Sequence, residues 1–316
     1  MSILNELKVR QALVNAGVDA DGELARAPSV TNEVWMTSDH VVRLGSDKSG
    51  RLAREASLAT RLPPEVGCPE VVASGREGQL TYIVSRRLAG VPLSQVWARL
   101  SDAERQSTVT SLAGRLAALH QVPTAELPPV PDPPQPLGGP DPVAPLSAML
   151  HLAGTVEGVD LLLLAETAEV VRRLRPFLGT FSTDTLIHGD LTFGNVLWHD
   201  GEVSGLLDFE FARGAPSDLD LDILLRMCAY PELFVDDDHV SEARAADYAA
   251  VRSQLRQAHP KMFDAPRLAE RLRLYAIAFT VRELTHLTSI VPGSRQLPGH
   301  PQQRLEALIH GTSYLD

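Results

Sequence analysis

Cysteine is nearly absent. Two residues in 316, Cys68 and Cys228, exclude a disulfide framework and a four-ligand zinc centre. Lysine is almost as scarce: only Lys8, Lys48 and Lys261 occur, and every other basic residue is an arginine. Long apolar runs are missing too. The longest clean aliphatic stretch, 161–165, falls far short of the roughly 20 residues a bilayer-spanning helix needs. At the start, Ile3, Leu4, Leu7, Leu13 and Val14 recur at helical spacing among charges, without the apolar core of a signal peptide. No membrane association and a cytoplasmic location are therefore expected. Positive charge is in the minority, with 29 Lys and Arg against 40 Asp and Glu and a net charge of -11. That excludes a general nucleic-acid binder, which needs a basic face, and suits a cationic small-molecule partner. What is present is 44% hydrophobic and 22% charged side chains, enough to bury a substantial core.

The first part of the chain reads as mixed α and β. Residues 33–37 (EVWMT) and 40–44 (HVVRL) are short strands about a Ser38-Asp39 turn. Residues 51–62 form a helix with Leu52, Ala56, Ala59 and Leu62 on one face, stopped by Pro63-Pro64. Strands follow at 69–74 and 80–85 around a turn at 75–78. Beyond that the pattern is helical, at 95–100, 103–120, 143–153, 160–178, 221–229, 241–258 and 265–290. Ten prolines between 123 and 145 mark a loop rather than an element. Since helices lie on both sides of it, it reads as an external excursion within one helical domain. The expected division is a small sheet unit at 1–88, a join at 85–91 and a helical unit at 89–316.

The chemistry concentrates in 185–222, TLIHGDLTFGNVLWHDGEVSGLLDFEFARGAPSDLDLD. Two strand-like runs, 195–198 and 203–207, flank an Asp200-Gly201 turn, so a hairpin sets Asn195 beside Asp208. Asp190 lies on the loop that feeds this hairpin. A carboxylate and an amide are hard oxygen donors suited to Mg²⁺, which retains waters and completes its shell with substrate phosphates. A third carboxylate nearby can take a proton from an attacking hydroxyl.

His188-Gly189-Asp190, Asn195 five residues on and Asp208-Phe209 thirteen further match the catalytic and metal loops of the protein-kinase fold. With H-G-D and Asp208-Phe209-Glu210, the chain resembles the aminoglycoside phosphotransferase and choline kinase group of small-molecule kinases. The resemblance is strong over 186–225 and looser across nearly the whole chain. It implies an α+β, two-lobed protein-kinase-like fold, with a small antiparallel β-sheet lobe and a larger helical lobe. It also implies an O-phosphotransferase using ATP or GTP with Mg²⁺. Asp190 would then be the catalytic carboxylate, and Asn195 and Asp208 the metal ligands. Arg43 would stand where such kinases carry a phosphate-gripping lysine, paired with Glu55, while main-chain groups of Arg86 and Leu88 would face the base. His188 would pack beneath the loop, and either Asp218 or Asp220 would brace it.

Two features depart from the pattern. The loop at 27–32 (APSVTN) holds no glycine, so any phosphate contact there would come from Ser29, Thr31 or nearby amides. The cation on the strand is an arginine, whose fork can bind phosphate bidentately but whose reach differs. Asp208 to Asp218 leaves no room for an activation segment, so the acceptor is a small molecule rather than a protein. Carboxylates at Asp190, Asp208, Glu210, Asp218, Asp220 and Asp222 favour an acceptor carrying amino groups, such as an aminoglycoside-like antibiotic. The alternatives are a metabolic kinase for an amino alcohol, sugar or amino acid, a hydrophobic antibiotic as acceptor, and a nucleotide-binding scaffold without turnover. A monomer or homodimer is expected.

Overall fold

A computed structural model describes residues 3–27, 29, 32–46, 50–125, 127, 130–179, 181–235, 237–291, 293–294, 297 and 299–315. The small lobe opens with α1 (Ile3–Asn15) and continues with β1 (Ala25–Ala27), β2 (Glu33–Met36), β3 (His40–Gly45), α2 (Arg51–Ala59), β4 (Val71–Glu77) and β5 (Leu80–Arg86). The five strands form one antiparallel sheet in the order β1-β2-β3-β5-β4. Thr37 closes the β2–β3 turn: its hydroxyl accepts from the His40 amide at 2.9 Å and its own amide donates to His40 O. Alternation along β3 decides the rest of the lobe. Val42 and Leu44 point to one face and bury against Val9 and Leu13 of α1. Arg43, between them, points to the other, where Leu52 and Ala56 of α2 pack on Ile83.

The large lobe holds β6 (Val91–Pro92), α3 (Asp102–Leu119), α4 (Ala144–Ala153), α5 (Leu161–Leu174) and β7 (Leu186–Ile187). The hairpin β8 (Val196–His199) and β9 (Glu202–Leu206), β10 (Arg213–Gly214), α6 (Asp218–Ala229), α7 (Val251–Ala258), α8 (Leu268–Thr285) and α9 (Pro301–His310) complete it. A Ser101–Glu104 capping box starts α3. Helix α8 has Leu274, Tyr275, Ala276 and Ile277 inaccessible, and α4, α5, α6 and α9 pack against it. Between β8 and β9, Asp200 and Gly201 take the positive φ values (48° and 89°) that a two-residue hairpin turn demands. No helix among the described residues is long and apolar enough to cross a membrane.

The structure departs from the periodicity reading in places. The helix expected at 241–258 is broken into 3-10 turns at Asp237–Glu242 and Ala245–Tyr248, followed by α7. Tertiary contacts cause the break. Asp247 O accepts from the Trp97 indole at 2.9 Å, and its carboxylate pairs with Arg105 and Arg244. Residues 95–100 form part of two 3-10 turns rather than a helix. Helix α8 starts three residues later than expected, because Pro266 lacks an amide and Arg267 is left-handed (φ 58°). Nor is the proline-rich stretch merely external. Gln135 is fully buried, Leu137 nearly so, and Asp132 ties Arg282 of α8 to Arg51 of α2.

Candidate active site

The site forms where α2, β3, the H-G-D loop and the end of the β8–β9 hairpin meet. Register places Val196 opposite Leu206, and the Leu207 amide donates to Asn195 O at 2.8 Å, so Asn195 and Asp208 flank the same end of the hairpin. The Asn195 side chain turns back on the preceding loop, donating to Asp190 O at 2.8 Å and to Asp190 Oδ2 at 3.2 Å. From the small lobe, Arg43 Nη1 donates to both Glu55 oxygens at 2.6 and 2.7 Å. Its Nη2 donates to Asp208 Oδ1 at 3.0 Å. The Phe209 amide donates to Glu55 Oε1 at 3.1 Å, so Glu55 also anchors the backbone beside Asp208. Asp208 itself is left-handed (φ 64°), which swings its carboxylate towards Arg43 as the chain enters the 3-10 turn Phe209–Phe211.

A buried frame holds the H-G-D loop from below. Asp220 Oδ2 accepts the His188 amide and Oδ1 the Gly189 amide, both at 2.9 Å. His120 reaches Asp220 Oδ2 at 3.2 Å from the end of α3. Asp218 does something else: it pairs with Arg271 of α8 at 2.6 Å and meets the Tyr275 hydroxyl. Of the two aspartates, Asp220 braces the loop and Asp218 locks α6 to α8. The His188 ring spans Leu207 O (2.9 Å) and the Asp190 amide (3.4 Å). Burial lowers its pKa, so the ring is neutral, donating from Nε2 and accepting at Nδ1.

Gly189 occupies a position that only glycine fits. Its φ is +83°, and a Cβ would strike the Phe211 carbonyl and lie 3.1 Å from Arg213 Nη1. Gly189→Ala is therefore expected to lower stability by roughly 2 kcal/mol or more in urea unfolding. Gly17→Ala, at φ +69° with open space around it, is the control and loses only the left-handed penalty of about 1 kcal/mol. Equal losses would show that the Phe211 contact is immaterial.

Three carboxylates around Asp208 are raised above the usual range. Burial raises Asp190 to about 6, reinforced by Asp208, and raises Glu210 to about 7 for the same two reasons. Burial also pushes Glu55 up, against the pull of Arg43. Burial alone would lower Arg43, but Glu55 and Asp208 outweigh it and hold the guanidinium charged. Burial would likewise raise Asp220, yet His120, His188 and the Gly189 amide keep it below the usual carboxylate range. An ionised Asp190 can accept a proton from a hydroxyl, and Arg43 is a fixed cation beside Asp208.

The donor set suits Mg²⁺. Asn195 Oδ1 accepts no hydrogen bond among the described residues, and Asp208 offers its carboxylate with 27% of the side chain exposed. No group of three or more His, Cys, Asp or Glu residues among the described ones would hold a metal unaided. A Mg²⁺ ion held by Asn195 and Asp208 would complete its shell with water and phosphate.

The remaining expected residues lie apart from this cluster. Arg86 ends β5, its amide donating to Glu70 O and its guanidinium pairing with Glu70 at 2.8 Å. The Leu88 N–H has no hydrogen-bond partner among the described residues, and its side chain closes against Gly205 of β9. Ser29 is exposed between β1 and β2 and makes none of the site's contacts. Thr31 lies outside the described residues. Sequence reasoning missed His120 as the third support of Asp220, Arg271 as the partner of Asp218, and Arg213 packed over Gly189. Partners 100, 53 and 24 residues away in the chain leave no local signal.

This constellation on this scaffold defines a phosphotransferase of the kinase-like fold, an enzyme that phosphorylates hydroxyl groups. The chain belongs to the phosphotransferase enzyme family, whose model matches residues 25–258. A thermostable mutant of aminoglycoside phosphotransferase APH(4)-Ia, solved with ADP and hygromycin B, superposes with a TM-score of 0.63 at 17% identity, covering 98% of both chains. APH(2'')-IIa, solved with streptomycin and ATP, gives 0.61 at 15% identity over 99% of this chain and 97% of its own. APH(3'')-Id from Streptomyces rimosus gives 0.56 at 16% identity over 90% and 99%. At these identities the structural likeness speaks to the fold alone. No curated protein matches the sequence.

Proposed function

We propose that the protein is a small-molecule kinase that transfers the γ-phosphate of ATP or GTP to a hydroxyl of an antibiotic, inactivating it. The observation that carries this reading is the arrangement around Asp208: Arg43 joins it to Glu55, while Asn195 ties the neighbouring Asp190 into the same cluster. Asp190 orients the acceptor hydroxyl and takes its proton, and the fixed Arg43 cation offsets phosphate charge. Asn195 and Asp208 would hold Mg²⁺, which supplies charge neutralisation at the nucleotide phosphates when bound. We place the hinge at 85–91, between a lobe of residues 1–88 and one of 89–316, with the Leu88 N–H free to meet the base. The structural neighbours solved with ADP or ATP support a nucleotide co-substrate.

One observation favours a second acceptor class. Asp218, Asp220 and Asp222, counted from the sequence as attractive to amino groups, are buried and engaged by Arg271, by loop amides with His120, and by Arg226. Of the other three, Glu210 is buried beside Arg51 and Asp208 is paired with Arg43, which suits a less cationic molecule such as an amino alcohol, sugar or amino acid. A coupled ADP- and GDP-release screen with Mg²⁺ decides between them. It should span aminoglycosides, other antibiotics, choline-like amines, sugars and amino alcohols, with Asp190→Ala as the control. Turnover only with an antibiotic supports the first reading and turnover only with a metabolite the second. Nucleotide binding with no turnover across the panel would count against both.

Asp208→Ala is expected to abolish the Mg²⁺ dependence of nucleotide binding. Calorimetric titration with AMP-PNP, with and without Mg²⁺, checks it. An unchanged Mg²⁺ effect would remove Asp208 from the metal site.

A further inference from the structure

Away from the catalytic carboxylates, the proline-rich stretch roofs a cavity of about 880 Å³ whose other side is formed by Thr183, Asp184 and β10. Asp190, Asn195, Asp208 and Glu210 do not line it. Its walls are largely apolar, with Leu127, Val130, Leu137, Met149 and Phe181 among them, and the volume is within the range of small-molecule sites. Among the described residues, one cation lines this chamber. Arg213 is only 9% exposed, and its hydrogen bonds go to two neutral oxygens, Phe211 O at 3.3 Å and Gln135 Oε1 at 3.4 Å. It makes no ion pair among the described residues. The carboxylate that acts on it, Asp220, is already committed to two loop amides and His120. Among the described residues, two acidic side chains also line the cavity. Asp132 is paired with Arg282 and Arg51, while Asp184 is exposed and bonded to Ser182.

A buried guanidinium with long, neutral partners is poorly compensated, since charge in an apolar setting is costly unless it is paired. A carboxylate would supply that pair through the bidentate geometry arginine favours. The apolar walls then select what the carboxylate is attached to. We propose that this cavity binds a monocarboxylate with a long apolar tail, headgroup on Arg213 and tail between the proline-rich stretch and α4. Such a ligand would lie one side chain from the catalytic loop, because Arg213 Nη1 is packed against Gly189. The proposal concerns binding and stands independently of the acceptor of phosphotransfer.

The test is calorimetric titration and thermal shift with decanoate, decanol and decyltrimethylammonium below their micellar concentrations, on the full-length protein. Decanoate is expected to bind at least tenfold more tightly than decanol, and the ammonium compound not at all. Arg213→Met should erase the preference of acid over alcohol. Met149→Trp, which fills the chamber, should abolish binding of both. Equal binding of acid and alcohol by the unaltered protein would overturn the proposal, as would no binding of decanoate or binding that survives Met149→Trp. Should Arg213→Met fail to fold, the acid–alcohol comparison and Met149→Trp still decide it.

Discussion

Asp190→Ala lowers kcat by roughly 10²–10⁴-fold, the usual contribution of a positioned general base, and leaves nucleotide affinity nearly unchanged. Asn195 donates to the Asp190 carboxylate at 3.2 Å and so fixes its orientation. Its pH dependence follows from burial, which with Asp208 raises it to about 6. Only the ionised form accepts a proton, so kcat is expected to rise with pH through about 6 and level off above it. In Asp190→Asn that limb disappears along with the activity. Stability carries the opposite sign. Asp190 binds its proton more tightly folded than unfolded, so its favourable contribution is complete below the unfolded pKa and is lost as pH rises through about 6. Asp190→Asn should therefore melt higher than the unaltered protein at pH 8, and the gap should close below pH 4. A pH-independent kcat between 5 and 8, or a variant that keeps its turnover, would remove Asp190 from the chemistry.

Arg43→Ala should cost about 3–5 kcal/mol of stability, the loss typical when one member of a buried ion pair is removed. Both side chains are shielded, at 16% and 10% exposure, and Glu55 would keep a buried charge without its cation. The double variant Arg43→Ala/Glu55→Gln should recover part of that loss, because the orphaned charge goes with its partner. The coupling read from urea unfolding should be on the order of 1–3 kcal/mol. Arg43→Lys is expected to fall between. Nη1 serves Glu55 while Nη2 serves Asp208, and a single ammonium cannot reproduce that planar fork. Function should follow: Arg43→Lys raises the KM for nucleotide more than it lowers kcat, if the guanidinium holds phosphate. Additive unfolding energies would show that the pair is not a unit.

Much of the fold was legible because its signals are local. The short strand-forming runs EVWM and HVVRL about their turn, the Asp200-Gly201 turn and the proline stop after α2 each act within a few residues. Spacing within 185–222 likewise anticipated the hairpin that sets Asn195 beside Asp208. What failed depended on distant partners. No periodicity could announce that Trp97 would bond Asp247 O and break a helix, or that β1 and α9 would form at the margins of the apolar pattern.

The sequence by itself determined the chemistry available here: a carboxylate, an amide and a second carboxylate at fixed offsets, and an arginine on an inner strand. Chain connectivity enforces those offsets whatever the rest does. The tertiary structure alone decided how the charges are used. It gave Asp220 to the loop amides and Asp218 to Arg271, and withdrew three carboxylates from any acceptor. It also buried Arg213 beneath the proline-rich stretch, facing a chamber. The reason is physical: a buried charge takes its meaning from its nearest partner and its solvent shielding, and long-range packing sets both.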